Sequence, residues 1–259
     1  MAETVTPTVA KPIWIDLSSS DPAASREFYA ELFGWQVEVN PDPQYGGYAL
    51  AKIGGKEVAG IGPTMMPEAP TAWSVYIWTP DAEELAKKVQ TAEGNVIAAP
   101  MQVGEQGKMA VFQDPSGAFI SAWQPAMMEG GLTDGQPGSF GWAELNSRGL
   151  EKAVAFYAAV FGWLSKTSPM GEGQPPYTEF WSGGQRVAGG MEMNPMVPAQ
   201  VPSYWMVYFA VADVDASFRN AIEAGAQEML APQDFPGGRF AILGDPQGAS
   251  FGLLKMAAR

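Results

Sequence analysis

The chain repeats itself, and that limits its folds more than any other feature. Pro12-Ile-Trp-Ile-Asp-Leu17 returns as Phe140-Gly-Trp-Ala-Glu-Leu145, 128 residues on, with Asp16 falling on Glu144. Arg26-Glu-Phe-Tyr-Ala-Glu-Leu-Phe-Gly-Trp35 returns as Val154-Ala-Phe-Tyr-Ala-Ala-Val-Phe-Gly-Trp163 at the same offset. Val58-Ala-Gly60 matches Val187-Ala-Gly189, Val75-Tyr-Ile77 matches Val207-Tyr-Phe209, and Asp114-Pro-Ser-Gly117 matches Asp245-Pro-Gln-Gly248. The offset drifts only to 132, so the copies differ by a few loop residues. The expected division is a first domain over 11–125, a linker over 126–138 rich in Gly, Pro, Glu and Asp, and a second domain over 139–256.

Each copy reads as strand, helix and three strands, then the same again. Ile13-Trp-Ile-Asp-Leu17 alternates, with aliphatics on one face and Trp14 and Asp16 on the other. Asp21-Pro22 supplies a helix cap followed by Pro at the first helical position. The helix behind it puts Ala24, Phe28 and Leu32 on one stripe and stops at Gly34. Strands are expected around Tyr48–Ile53 and Glu57–Ile61, with Gly54-Gly55 as the turn between them. Trp73–Trp78 opens the second half, Pro80–Ala92 is its helix, and Val96–Ala98, Lys108–Gln113 and Ala118–Trp123 are its remaining strands.

This order, with Phe-Tyr-x3-Phe-Gly-Trp on the first helix and Asp-Pro-x-Gly before the last strand, resembles the vicinal oxygen chelate superfamily. The nearest likeness is to two-domain glyoxalase and bleomycin-resistance-type proteins, and it spans roughly Lys11 to Lys255. The resemblance implies an α+β fold: tandem glyoxalase-like domains, each of two βαβββ modules forming a cupped mixed sheet. It also implies two copies packed as a pseudo-two-fold pair. One scaffold in that superfamily carries many chemistries, so function must be argued from the site. Metal-using members place His or Gln mid-way along the first strand, His or Glu at the start of the fifth, and Glu on the last. Those positions here are Trp14, Ser74 and Ser121 in one copy and Trp142, Met206 and Gly252 in the other. None is an imidazole or carboxylate, so no metal or other cofactor is expected.

Composition sharpens this. The chain has no histidine and no cysteine, which removes the commonest metal ligand, the commonest neutral-pH base and the thiolate nucleophile. A net charge of −13 repels nucleic acid and anionic membranes; it either favours neutral or cationic ligands through its long-range field or serves solubility alone, the second being preferred. The stretch Met1 to Pro12 lacks the apolar core of a signal peptide, and no apolar run is long enough to span a bilayer. A cytoplasmic protein is expected, as a monomer with paired domains or a weak homodimer.

Strand parity then names the cup linings. In the first copy these are Trp14, Asp16, Ser74, Tyr76, Trp78, Phe119, Ser121 and Trp123; in the second, Trp142, Glu144, Met206, Tyr208, Ala210, Ser250, Gly252 and Leu254. Each cup holds one carboxylate two residues beyond a Trp, beside rings able to stack on a flat ligand. Two readings follow. One is a protein that binds or sequesters a flat apolar or cationic metabolite or drug. The other is a metal-free isomerase, epimerase or lyase using Asp16 or Glu144 as base. Against a site role, Trp14 and Trp142 could pack between domains, and the two acids could make structural hydrogen bonds. Arg239 and Lys108, equivalent in the two copies, could hold a ligand carboxylate or a neighbouring acid, the second being preferred. The Met- and Pro-rich stretches Thr64–Pro70 and Met191–Pro202 read as surface connectors or as walls over the cups.

Overall fold

The computed structural model describes residues 9–64, 69–132, 135–171 and 175–257. In the first copy the elements are β1 (Pro12–Ser19), α1 (Pro22–Phe33), β2 (Gln36–Val39), β3 (Ala49–Ile53), β4 (Lys56–Pro63), β5 (Ala72–Trp78), α2 (Ala82–Thr91), β6 (Asn95–Val103), β7 (Gly107–Gln113) and β8 (Phe119–Pro125). The second copy repeats them as β9 (Phe140–Ser147), α3 (Leu150–Phe161), β10 (Leu164–Ser168), β11 (Tyr177–Ser182), β12 (Gln185–Glu192), β13 (Tyr204–Ala210), α4 (Val214–Glu223), β14 (Gln227–Phe235), β15 (Gly238–Gly244) and β16 (Ser250–Met256). The strands form two eight-stranded mixed sheets, ordered β2-β3-β4-β1-β5-β8-β7-β6 and β10-β11-β12-β9-β13-β16-β15-β14. This is the α+β fold of two tandem modules per copy that the motifs implied. Most of the Thr64–Pro70 connector, part of the 126–138 linker and most of the N-terminal stretch lie outside the described residues.

Local chemistry places the helices where capping residues stand. Asp21 accepts the Ala24 amide at the start of α1, and Gly34 closes it in the left-handed conformation. The second copy has Gly149 in place of the aspartate, and the cap comes from elsewhere. Glu192, at the end of β12, accepts the Gly149 and Leu150 amides at 2.8 Å each. The buried stripe of α1 is Ser25, Phe28 and Tyr29, rotated from the Ala24–Phe28–Leu32 line expected. The reason is Tyr29, whose hydroxyl reaches a buried acid.

That acid belongs to the other copy. By contacts the chain divides into two compact units that cut across the sequence repeat, through β1, β5, β9 and β13. One unit takes the described residues up to Ile13 with Tyr76–Glu129 and Leu145–Trp205; the other takes Trp14–Val75, Gly130–Glu144 and the chain from Met206 on. Each thus joins the first half of one copy to the second half of the other. In the second of these units Tyr29 donates to Asp245 Oδ2 at 3.0 Å and accepts the Trp73 indole at 2.9 Å. In the first, Tyr157 donates to Asp114 Oδ2 at 2.9 Å and accepts the Trp205 indole at 2.8 Å. The Phe-Tyr helix motif and the Asp-Pro-x-Gly turn are therefore two ends of one bond, made twice. Burial, and then the facing carboxylate, hold both tyrosine hydroxyls far above their ordinary pKa, so they remain donors. Burial also raises Asp245, against the pull of the hydrogen bonds it accepts.

The tryptophans of the two Phe-Gly-Trp segments repeat the pattern. Trp35 donates to the Gly138 carbonyl at 2.7 Å, and Trp163 to the Ala10 carbonyl at 2.8 Å. Ala10 and Gly138 are themselves 128 residues apart, so each indole caps the segment entering the other copy. The linker is consequently not a loose spacer at this end.

Candidate functional site: two carboxylates held by tyrosines

The alternation of β1 is kept. Ile13, Ile15 and Leu17 are core residues, while Asp16 is only half-buried. Trp14, on the same face as Asp16, is nonetheless 3% exposed. Two contacts explain that. Its indole donates to the Tyr48 hydroxyl at 3.1 Å, and Tyr48 makes a long hydrogen bond of 3.5 Å to Asp16 Oδ2. Its ring edge meets the linker, since a Cβ on Gly131 would come within 2.8 Å of Trp14 Cζ3. Tyr48 lies flat along β4: a Cβ on Gly60 would fall 1.8 Å from its hydroxyl, and one on Gly62 2.8 Å from Cδ2. Burial first, and Asp16 second, push the Tyr48 pKa well up, so it faces the acid as a neutral donor.

The second copy reaches the same end with a different tyrosine. Glu144 Oε1 accepts from the Tyr208 hydroxyl at 3.1 Å. Tyr208 is buried, crosses edge-on to Phe240 with centroids 6.3 Å apart, and lies over Gly252. A Cβ there would sit 2.0 Å from its Cδ1. The place at which metal-using relatives carry a glutamate is therefore a glycine covered by a tyrosine ring. Trp142 is half-buried and Met206 buried, both on elements of this unit.

The remaining first-copy residues line up on two neighbouring strands. In the parallel pair β5–β8, Tyr76 stands opposite Ser121 and Trp78 opposite Trp123. All four are buried, on the face opposite Ile77, Ile120 and Ala122. Trp123 donates to the Met128 carbonyl at 2.8 Å, and the Met128 amide in turn bonds Gln106. Ser74 is half-buried, and Phe119, at 53% exposure, points away into solvent.

Other candidates have structural employment. Arg239 pairs with Asp215 at 2.7 Å and Asp234 at 2.9 Å, and Lys108 with Glu83 at 2.7 Å. Glu83 and Asp215 sit in the first turns of α2 and α4, so the two copies bind their equivalent cation in the same way. The pairing lowers the pKa of both acids. The Met191–Pro202 connector is tied down by Arg148, which donates to the Val197, Pro198 and Val201 carbonyls. Tyr48 was not foreseen as a site residue, because its contact with Asp16 crosses 32 positions. The signal that could have found it was Gly60-x-Gly62, a strand with room for a ring.

A transition metal does not fit these residues. Among the described residues no three His, Cys, Asp or Glu side chains converge, and the family's ligand positions hold Trp, Ser, Met and Gly.

The Glyoxalase/Bleomycin resistance protein/Dioxygenase superfamily model matches residues 11–121 and 139–253, and the chain belongs to that superfamily. It is 41% identical to the anthracycline biosynthesis protein DnrV of Streptomyces peucetius, over 95% of this chain and 93% of that one. It is 39% identical to CFP32 of Mycobacterium tuberculosis, provisionally named a glyoxylase, over 95% of each. Among solved structures, the Mn(II)-bound glyoxalase from Novosphingobium aromaticivorans shares the fold, with a TM-score of 0.63 at 17% identity over 96% of this chain and 84% of that one.

Proposed function

We propose that this protein binds or sequesters a flat aromatic small molecule, apolar or cationic, without a transition metal. The observation that carries the reading is the repeated pairing of one carboxylate with one tyrosine hydroxyl among large aromatic side chains. Tyr48 fixes Asp16 and Tyr208 fixes Glu144, each ring seated on glycines that leave it room. Aromatic faces supply stacking area, and an oriented carboxylate supplies a counter-charge for an ammonium group. The net charge of −13 draws cations and repels anions. The likeness to a protein named for anthracycline biosynthesis supports a fused-ring ligand.

The test is a fluorescence titration with 2-(aminomethyl)anthracene and its neutral analogue 2-methylanthracene. Saturable binding of both is expected. The amine should bind more tightly and lose that advantage in Asp16→Asn or Glu144→Gln, by about tenfold if the charged hydrogen bond is worth ~1.5 kcal/mol. Raising salt should weaken the amine only. No saturable binding of either compound would overturn the reading. Turnover of hemithioacetals or other small carbonyl compounds, abolished by either substitution, would replace it with the metal-free isomerase.

A further inference from the structure

The duplication supplies an internal comparison at the outer edge of the second sheet. Strand β10 opens that sheet's strand order, and all five of its residues are exposed. Leu164 stands opposite Trp181 and Lys166 opposite Glu179, while Trp181 stands opposite Arg186 on its other side. The first copy keeps the same register with other residues: Gln36 opposite Lys52, Glu38 opposite Leu50, and Lys52 opposite Glu57. The ladders agree position by position, so the fold does not dictate these side chains.

In the first copy this place is polar and satisfied within itself. Lys52 pairs with Glu38, and Glu38, Lys52 and Glu57 together leave a charge of −1. In the second copy Leu164 and Trp181 replace Gln36 and Lys52, and Lys166, Glu179 and Arg186 together leave +1. Arg186 holds Glu179 at 3.0 Å, whereas no described acid pairs with Lys166. A chain of net charge −13 is thus locally positive beside an indole and a leucine. A lysine alone would guard the strand edge against pairing, but that task calls for neither Trp181 nor Leu164.

A cavity of about 290 Å³ lies here, lined by Leu164, Lys166, Trp181, Ser182 and the Gly183-Gly184 turn. All of these belong to one compact unit. The volume is at the small end of the ~300–1,000 Å³ of ligand pockets, which suits one or two fused rings. The Trp181 Nε1 is sealed from solvent, so its ring and not its N–H meets a ligand, with the 74% exposed Leu164 beside it.

We propose that this groove binds a small aromatic carboxylate: the ring system lies against Trp181 and Leu164, and the carboxylate pairs with Lys166. The site goes beyond the aromatic-binding reading above and uses none of the residues of the two tyrosine-held carboxylates. The net negative charge opposes an anion at long range, but that field is screened over ~8 Å at physiological salt, and at contact the ligand meets Lys166.

The experiment titrates 2-naphthoate and neutral 2-methylnaphthalene into the full chain, followed by the ¹H–¹⁵N indole resonances. Naphthoate should move the Trp181 signal along a saturable curve and bind about fivefold more tightly than the hydrocarbon, the scale of a partly exposed ion pair. Raised salt should remove that preference, as should Lys166→Gln. The double variant Lys166→Glu/Trp181→Lys rebuilds the first copy's ion pair and should abolish binding. Saturating 2-(aminomethyl)anthracene should not displace naphthoate from the wild type, a readout independent of how any variant folds. Equal binding of the two probes, movement of Trp14 or Trp142 in place of Trp181, or displacement by the amine would overturn the proposal. Binding of neither naphthalene would overturn it too, and would leave the reading of the Asp16 and Glu144 sites intact.

Discussion

Replacing Tyr29 with Phe removes one oxygen and breaks two buried hydrogen bonds. The hydroxyl donates to Asp245 at 3.0 Å and accepts from Trp73 at 2.9 Å, within rings whose centroids lie 4.9 to 6.2 Å away. A hydrogen bond to a charged group contributes ~1.5–3 kcal/mol, and stranding the Trp73 N–H costs a further ~1–3. Asp245 keeps the Gln247 and Ala249 amides on Oδ1, so its carboxylate is only partly stripped. The expected loss is about 3–5 kcal/mol, or roughly 10 °C in Tm for a chain of this size. Urea unfolding of Tyr29→Phe, Asp245→Asn and the double variant measures it. The cycle should show a coupling of at least ~1.5 kcal/mol between the two positions. Tyr157→Phe, which has the same partners in Asp114 and Trp205, should match Tyr29→Phe within about 1 kcal/mol. A coupling near zero would refute the claim that the first helix of one copy is bonded to the Asp-Pro turn of the other.

Asp245 gives a pH signature with a definite sign. Its folded pKa is raised by burial, so below the ordinary aspartate value of ~4 it is protonated in both states and costs nothing. As pH rises from there toward the folded value, the native state holds the proton longer and stability falls; Asp245→Asn should flatten that slope in a pH series of melts. Gly60→Ala should drive a methyl into Tyr48 and cost ~1–3 kcal/mol by overpacking, with loss of amine affinity at the first carboxylate. An unchanged titration would show that Tyr48 does not orient Asp16. Glu192→Ala should cost ~1 kcal/mol of stability by uncapping α3, read from denaturant midpoints, and leave ligand affinity unchanged.

Most of the fold was legible because its signals are local. The Asp21-Pro22 cap, the Gly34 stop and the Gly54-Gly55 turn each follow from the conformations those residues favour, and each is in place. Strand β2 was not delimited, since Gln36–Val39 is an exposed edge with no buried alternation. Strand β6 was read short because Ala98-Ala99-Pro100 has little β-propensity, and its pairing with β7 shifts register there. The site was only half legible. Parity gave the right faces for Trp14, Asp16, Ser121 and Trp123, but not what closes over them. Gly131 on Trp14 and Met128 on Trp123 come from a stretch whose composition reads as a spacer. The halves that make each compact unit come from both copies, and sequence order carries no trace of that.

The most direct test of aromatic-ligand binding is a ¹H–¹⁵N spectrum of the nine indoles, recorded while 2-(aminomethyl)anthracene is added. The account predicts that the resonances of Trp14 and Trp142, each two residues before a carboxylate, move along saturable curves. Those of Trp35 and Trp163, bonded to Gly138 and Ala10, should stay in place. Movement confined to Trp181 on the outer hairpin, or no movement up to the solubility limit of the amine, would contradict it.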